Sequence, residues 1–429
     1  MGVLLLKRTN RILPVYAADI SGICSALYEL GGMTVMHDAS GCNSTYTTHD
    51  EPRWYSMDSM VYISALSELE AVMGDDEKLV RDIVDAALNL CPAFICMGGT
   101  PIPMMMGTDF KGIARMIENK TGIPTFGIAT NGMHSYVRGA GEALRWIVKR
   151  FCPPGIKADR PAEKAGVPVG NHLNGNGQPA ALKVNILGVT PLDFSLTGNT
   201  GRLKDFLRSH GMETVGCWAM ESGLDELRLA GLADVNLVVS AVGLPAAAEL
   251  KKMYGTPWVV GTPVGRGTSG RLAECIRQAA RTGENQSLFD GAGYVPSWDA
   301  AACIRPDLGL AGLPEDLSGK KVLIIGEQVI AGSLRCCLRE EWGADQVTVL
   351  CPTEGEKALA LEGDIIDWDE DEVIRAIAES TVVVADPLYR QVCPAHRNIV
   401  FVDFPHEACS GRMYHSIMRP FVCAPDDPI

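Results

Sequence analysis

The stretch Lys-Lys-Val-Leu-Ile-Ile-Gly (320–326) decides the fold. Four large apolar residues run without a polar break between two lysines and a glycine, the pattern of a strand buried on both faces. A helical segment then reaches Trp342, followed by strand Gln346 to Leu350, helix Glu370 to Glu379, strand Thr381 to Ala385 and strand Ile399 to Val402. The same alternation lies upstream: strand Val184 to Val189, helix Leu203 to His210, strands Glu213 to Cys217 and Val235 to Ser240, helix Pro245 to Tyr254, and strand Trp258 to Gly261. Strands alternating with helices imply an α/β protein of Rossmann-like domains, each a mainly parallel sheet flanked by helices. The two units repeat one small doubly wound plan, and the part before Cys152 reads as a modified version of it.

Pro153-Pro154-Gly155, the stretch ending Asn-His-Leu-Asn-Gly-Asn-Gly-Gln-Pro (171–179) and the irregular run 283–319 read as connections. At about 150 residues per domain the 429 residues predict about three domains. We place them at 1–165, 166–300 and 301–429. The net charge of −14 excludes a general nucleic-acid or anionic-membrane binder and suits a basic protein partner. Val3 to Leu6 is too short an apolar run for a secretory signal or a membrane span, so a cytoplasmic location with reduced thiols is expected.

Fourteen cysteines in a reducing compartment suggest metal binding, although no Cys-x-x-Cys pair occurs. Cys42 closes the run Met-Thr-Val-Met-His-Asp-Ala-Ser-Gly-Cys (33–42), and Cys96 closes an apolar run in Pro-Ala-Phe-Ile-Cys-Met-Gly-Gly-Thr (92–100). Cys24 stands at the expected start of a helix. Thiols on turns at the carboxyl ends of parallel strands converge despite their separation in sequence, and soft thiolates select zinc or an iron–sulfur cluster. Gly41, Gly98 and Gly99 would let backbone N–H groups approach such a group. Asp38 is a possible oxygen ligand or a turn cap, and Cys91, after helix Leu79 to Leu90, reads as a core thiol. None of the glycine turns makes a phosphate-cradling Gly-x4-Gly-Lys-Ser/Thr, so no ATP is expected on this chain.

These segments carry a family resemblance. His37-Asp-Ala-Ser-Gly-Cys42 resembles the His-Gly-Pro-x-Gly-Cys segment of nitrogenase component 1 subunits, and Ser67 to Leu79 resembles that family's Glu-x-Asp-x-Val-Phe-Gly-Gly-x-x-Lys-Leu block. Cys96 to Asp109 resembles its Cys-x-x-x-Leu-Ile-Gly-Asp-Asp turn. Ala233 to Ser240, Tyr254-Gly-Thr-Pro-Trp258 and Lys320 to Gly326 match its later strands in order. The superfamily includes nitrogenase, its cofactor-assembly scaffold, the dark-operative protochlorophyllide reductases and the nickel-sirohydrochlorin cyclase. The resemblance implies the nitrogenase component 1 fold, with Cys24, Cys42 and Cys96 holding an iron–sulfur cluster, [4Fe–4S] or larger, at a subunit interface. It implies a homodimer or a heterotetramer with a sibling subunit, and electrons from a separate P-loop [4Fe–4S] ATPase. Ser240 stands where the family has its cofactor-ligating cysteine, and a serine hydroxyl is a poor partner for a thiolate-bound iron. Dinitrogen is therefore not the expected substrate. The expected function is reduction of a tetrapyrrole or other unsaturated small molecule; the alternatives are a scaffold for metallocluster assembly and a cluster-free binding protein. His37, His406 and His415 are candidate proton donors, each also able to serve as a capping or hydrogen-bonded structural histidine.

Overall fold

The computed structural model describes residues 12–41, 43, 46, 50–58, 60–154, 181–291 and 309–423. Three parallel sheets follow one another along the chain. The first contains β1 (Met33–His37), β2 (Met60–Ile63), β3 (Ile95–Gly99) and β4 (Thr125–Ile128), in the order β2-β1-β3-β4. Its helices are α1 (Asp19–Leu27), α2 (Glu68–Met73), α3 (Asp76–Leu90), α4 (Pro101–Met106), α5 (Phe110–Thr121) and α6 (Tyr136–Phe151). Side chains alternate across a strand, so Ile95 and Met97 pack with Ile83 and Ile117 of α3 and α5, while Cys96 joins the core on the opposite face. Gly22 and Gly139 let α1 and α6 meet backbone to backbone: a Cβ on either would strike the other helix's main chain.

The middle sheet runs β6-β5-β7-β8-β9, from β5 (Leu182–Leu187), β6 (Met212–Trp218), β7 (Val235–Val238), β8 (Trp258–Val260) and β9 (Gln286–Ser287). With it come α7 (Pro191–Phe194), α8 (Asn199–Ser209), α9 (Leu224–Leu227), α10 (Leu244–Tyr254) and α11 (Arg266–Thr282). The last sheet runs β11-β10-β12-β13, from β10 (Lys321–Ile325), β11 (Gln346–Leu350), β12 (Val382–Ala385) and β13 (Val400–Asp403). Its helices are α12 (Gln328–Trp342), α13 (Glu370–Glu379) and α14 (Gly411–Tyr414). Val382, Val383, Val384 and Ala385 are wholly buried, as expected for a central strand of a covered sheet.

All three units therefore share one strand order: in each, the first strand lies between the second and the third. The expectation that the first unit modifies the plan is corrected in this respect, since its strand order is unchanged. Each sheet has a topological switch point between its first and third strands, where chain crossovers diverge and leave a crevice at the carboxyl edge. The proposed boundaries at 165/166 and 300/301 lie outside the described residues.

The units are joined by specific bonds. Arg53 is buried and donates to Ser25 O at 2.7 Å, Glu29 at 2.8 Å and Glu51 at 2.6 Å, and reaches Ala219 O at the end of the middle sheet at 3.3 Å. Ala17 N donates to Ala408 O at 2.7 Å, and Ala408 N donates to Leu192 O at 3.2 Å, threading all three units together.

Candidate functional site at the junction of the three units

Each switch point carries an acid just beyond its first strand. Asp38 follows β1, Asp193 lies in α7 after β5, and Glu327 follows β10. Asp38 is buried and accepts from Thr100 Oγ1, beyond β3, at 2.6 Å. Asp193 is buried and its Oδ2 accepts from Ser240 Oγ, beyond β7, at 2.7 Å and from Thr190 Oγ1 at 3.2 Å. Its Oδ1 accepts a short hydrogen bond from the Tyr136 hydroxyl at the start of α6 and lies 3.5 Å from His406 Nε2. Tyr136 Oη is 3.4 Å from the same nitrogen.

The middle and last switch points face one another. Glu327 Oε1 accepts from Ala241 N, next to Ser240, at 2.9 Å, and the same carboxyl caps α12 by accepting from Val329 N and Ile330 N. Burial, and then the neighbouring Asp193 carboxyl, pushes Glu327 up to about 7 against these stabilising N–H donors. Beyond β12, Asp386 accepts from His406 N at 2.9 Å and from the Ser410 hydroxyl, which fixes the turn that carries His406. Tyr16 meets the His406 ring edge-on at 5.4 Å, and His406 Nδ1 is buried without a partner. Two carboxyls, a phenol, a hydroxyl and an imidazole thus share one buried junction, where the low local dielectric strengthens their contacts. A small cavity of about 20 Å³, room for about one water, borders Asp193.

The expected residues distribute unevenly. His406 belongs to this junction and Ser240 contacts it through Asp193. His415 is half-exposed and stands 3.4 Å from the Glu407 carboxylate. His37 is buried at the end of β1, its Nδ1 2.8 Å from Ser64 Oγ, and burial lowers its basicity. Cys42 lies outside the described residues. Cys24 is in mid-helix rather than at a helix start, and Cys96 is the second residue of β3 rather than on the turn after it. Thr100 occupies that turn. Cys91 is exposed in a left-handed cap after α3, correcting its reading as a core thiol.

The glycines also serve packing. Gly41 is exposed; Gly98 is where Ile20 and Ile23 of α1 touch the sheet, and Gly99 is pressed by Phe110. Gly99 N–H is committed to Thr130 Oγ1 at 2.9 Å.

Cys24 and Cys96 come together in the core of the first unit, close enough that the Cys24 sulfur adds to the upward push on the Cys96 thiol; Cys42, the third expected ligand, lies outside the described residues. Both residues are buried, and burial pushes both thiols up, with the Glu51 carboxyl adding to it at Cys24. Among the described residues no group of three or more His, Cys, Asp or Glu side chains is arranged to hold a metal ion.

Sequence reasoning misses the acids at the junction although each follows an apolar strand closely: Thr-Pro-Leu-Asp-Phe (190–194), Gly-Glu-Gln (326–328) and Ala-Asp-Pro (385–387). That position, at a carboxyl edge, is the available signal.

Residues 30–385 match the sequence model of the nitrogenase component 1 type oxidoreductases. The chain is 24% identical over 315 residues to one of the subunits of the light-independent protochlorophyllide reductase of Synechococcus sp. (strain JA-3-3Ab), covering 71% of this chain and 59% of that protein. It is 20% identical over 277 residues to the nitrogenase iron-molybdenum cofactor biosynthesis protein NifE of Nostoc sp. (strain PCC 7120 / SAG 25.82 / UTEX 2576), covering 64% and 51%. The matches thus span between half and three-fifths of these relatives. In fold it is similar to the solved structure "Nitrogenase Cp1 at pH 6.5", with a TM-score of 0.63 at 18% identity over 96% of this chain and 90% of that one. With the family sequence matched into all three sheets and the fold shared along nearly the whole length, the chain belongs to the nitrogenase component 1 type oxidoreductases.

Proposed function

We propose that the chain is the substrate-binding component of a two-component reductase. Its electrons would come from a separate P-loop [4Fe–4S] ATPase, and its substrate would be an unsaturated small molecule, a tetrapyrrole or another, held at the three-unit junction. The observation that carries this reading is Ser240 bonded to Asp193. Where the resemblance leads one to expect a sulfur ligand for a metallocofactor, this chain has a hydroxyl already committed to a carboxyl, inside a cluster of proton-bearing groups. Such a junction suits proton delivery to an organic substrate better than anchoring a cluster through sulfur, and it argues against dinitrogen reduction. Asp193 and Glu327 would share and move protons, His406 would relay them through Nε2, and Tyr136 would hold Asp193 in place.

An ATPase partner is supported by the surface of the first unit. Helix α2 buries no residue, and Leu69, Val72 and Met73 stand 72%, 78% and 75% exposed beside Met105 of the neighbouring α4, also at 75%. Exposed apolar surface of this kind marks a protein contact. Glu68, Asp75, Asp76, Glu77 and Asp109 rim it, so the partner would be basic around an apolar centre and its docking salt-sensitive. Any cluster at this interface would draw on Cys24, Cys42 and Cys96 and on a second subunit, a homodimer mate or sibling chain.

The test is anaerobic reduction driven by the candidate ATPase, with MgATP compared with no nucleotide and candidate substrates followed by absorbance. Nucleotide-dependent substrate loss that disappears in Asp193→Asn supports the reading; equal rates with and without MgATP overturn it. The scaffold reading is favoured by one observation, the similarity to NifE. It requires a metallocluster to be carried and released without substrate turnover.

A further inference from the structure

Side chains of α12 take three backbone N–H groups from the carboxyl edge of the middle sheet. Ala241 N, in the turn after β7, donates to Glu327 Oε1 at 2.9 Å, just before the helix begins. Thr262 N, in the turn after β8, donates to Ser333 Oγ at 2.8 Å. Gly267 N, in the first turn of α11, donates to Glu341 Oε1 at 3.0 Å near the end of α12. Glu327 and Glu341 are almost four turns apart along the helix, roughly 21 Å, and both serve the middle unit. Between them Gly332 lets the Phe289 ring pack against the helix.

The central hydroxyl stays neutral, but the two end groups can ionise, and all three residues are buried. Glu327 faces Asp193 of α7 and Tyr136 of α6, with His406 beyond Asp193. Glu341 faces Glu340 and Cys337 of its own helix and the first turn of α11, with Cys423 beyond Cys337. The nearest cation, Arg271 of α11, is paired with Glu340 at 2.5 Å. Glu341 Oε2 is buried without a hydrogen-bond partner. Burial pushes both carboxyls up to about 7 against their N–H donors, and a second carboxyl adds to the push in each case. A carboxyl that is buried when the units are together and hydrated when they part binds its proton more tightly in the closed arrangement. Closure is therefore favoured at low pH and weakens as pH rises through about 7.

We propose that α12 is a pH-operated latch: protonated Glu327 and Glu341 hold the last unit on the carboxyl edge of the middle sheet, and their ionisation releases that edge. Release takes Ala241 off Glu327 and uncovers the adjoining Ser240–Asp193 pair, so the latch sets solvent access to the junction. The inference goes beyond the reductase reading and does not rest on it.

The test is amide hydrogen exchange of the full chain at about pH 6 and about pH 8, corrected for the intrinsic rate. Protection at Ala241 and Gly267 should fall by about tenfold to a hundredfold, one factor of about ten for each glutamate the opening frees. Protection at Ile324 in β10 should stay within about threefold, which separates release from global unfolding. Glu327→Gln/Glu341→Gln keeps both acceptors but cannot ionise, and its protection should be nearly the same at the two pH values. Equal protection in the parent, an equal loss at Ile324, or a loss that persists in the folded double variant would overturn the proposal. If the double variant does not fold, Glu341→Gln read at Gly267 decides alone. Neither nucleotide nor electron transfer enters the measurement, so its failure leaves the reductase test standing, and the reverse also holds.

Discussion

Ser240 and Asp193 are joined across the carboxyl edge of the middle sheet, Oγ to Oδ2 at 2.7 Å, with both residues buried. Thr100 and Asp38 repeat the arrangement at 2.6 Å on the first sheet. In both, a residue after the third strand donates its hydroxyl to an acid after the first, closing the crevice at the switch point from within.

Removing one side of the middle pair should be costly. Asp193 has three hydroxyl donors, so Asp193→Asn places amide hydrogens against at least one of them and leaves a buried mismatch. A loss of about 2–4 kcal/mol is expected by urea unfolding. Ser240→Ala removes one donor and should cost about 1–2 kcal/mol. Near-neutral behaviour of both would show that the junction is solvated.

Stability should depend on pH through Glu327. Its carboxyl is raised in the folded chain to about 7 from an unfolded value near 4.5, so the native state holds the extra proton between these values. Its contribution is therefore complete below about pH 4.5 and is lost as pH rises through about 7. Glu327→Gln keeps an acceptor for Ala241, Val329 and Ile330 but cannot ionise. The variant's melting temperature should fall less than the parent's between pH 5 and 8, a difference on the order of 1–3 kcal/mol. Glu341, likewise raised to about 7 by burial, leaves a residual slope of the same sign in the variant.

Native thiol labelling should separate the cysteines. Exposed Cys91 should react with iodoacetamide at once, whereas Cys24 and Cys96 should react only on unfolding. Cys24→Ala and Cys96→Ala should each lower the iron content of anaerobically prepared protein, whereas Cys91→Ala should leave it unchanged. Unchanged iron content in either folded variant would remove that sulfur from the ligand set.

Arg53→Met should be strongly destabilising. The guanidinium is buried, pairs with Glu51 and Glu29, and lies over the Tyr28 ring at 4.6 Å. Removing it strands the buried Glu51 carboxyl, a loss of roughly 3–5 kcal/mol by chemical denaturation. Removing both Arg53 and Glu51 should cost less than the sum of the separate changes.

The exposed stripe predicts a kinetic effect without a structural one. Met73→Asp adds like charge to an acidic rim at a residue that supports no core. It should raise the concentration of ATPase needed for half-maximal reduction several-fold and shift the melting temperature by less than about 2 °C. An unchanged concentration dependence would place docking elsewhere.

The sequence by itself determined the α/β class, the strands of the second and third units to within one or two residues except β9, which lies in the run read as a connection, and the lack of a recognisable nucleotide-cradling motif, because apolar runs and glycine exits are local signals. Gln346–Leu350 and Glu370–Glu379 fall where their patterns place them. Strand β2 was not legible: Met60–Ile63 is a half-buried edge strand with no buried residue to mark it. Helix α6 was not legible either, because Gly139 and Gly141 resemble breakers until their packing against α1 and Pro245 is seen. Which thiols face the core depended on strand register: one residue's shift along β3 would turn Cys96 to the opposite face. Only the tertiary structure decided that Asp193, Glu327, Tyr136 and His406 meet. They lie up to 270 residues apart, on elements whose sequences carry no sign of one another, and parallel sheets sharing one strand order bring their carboxyl edges together.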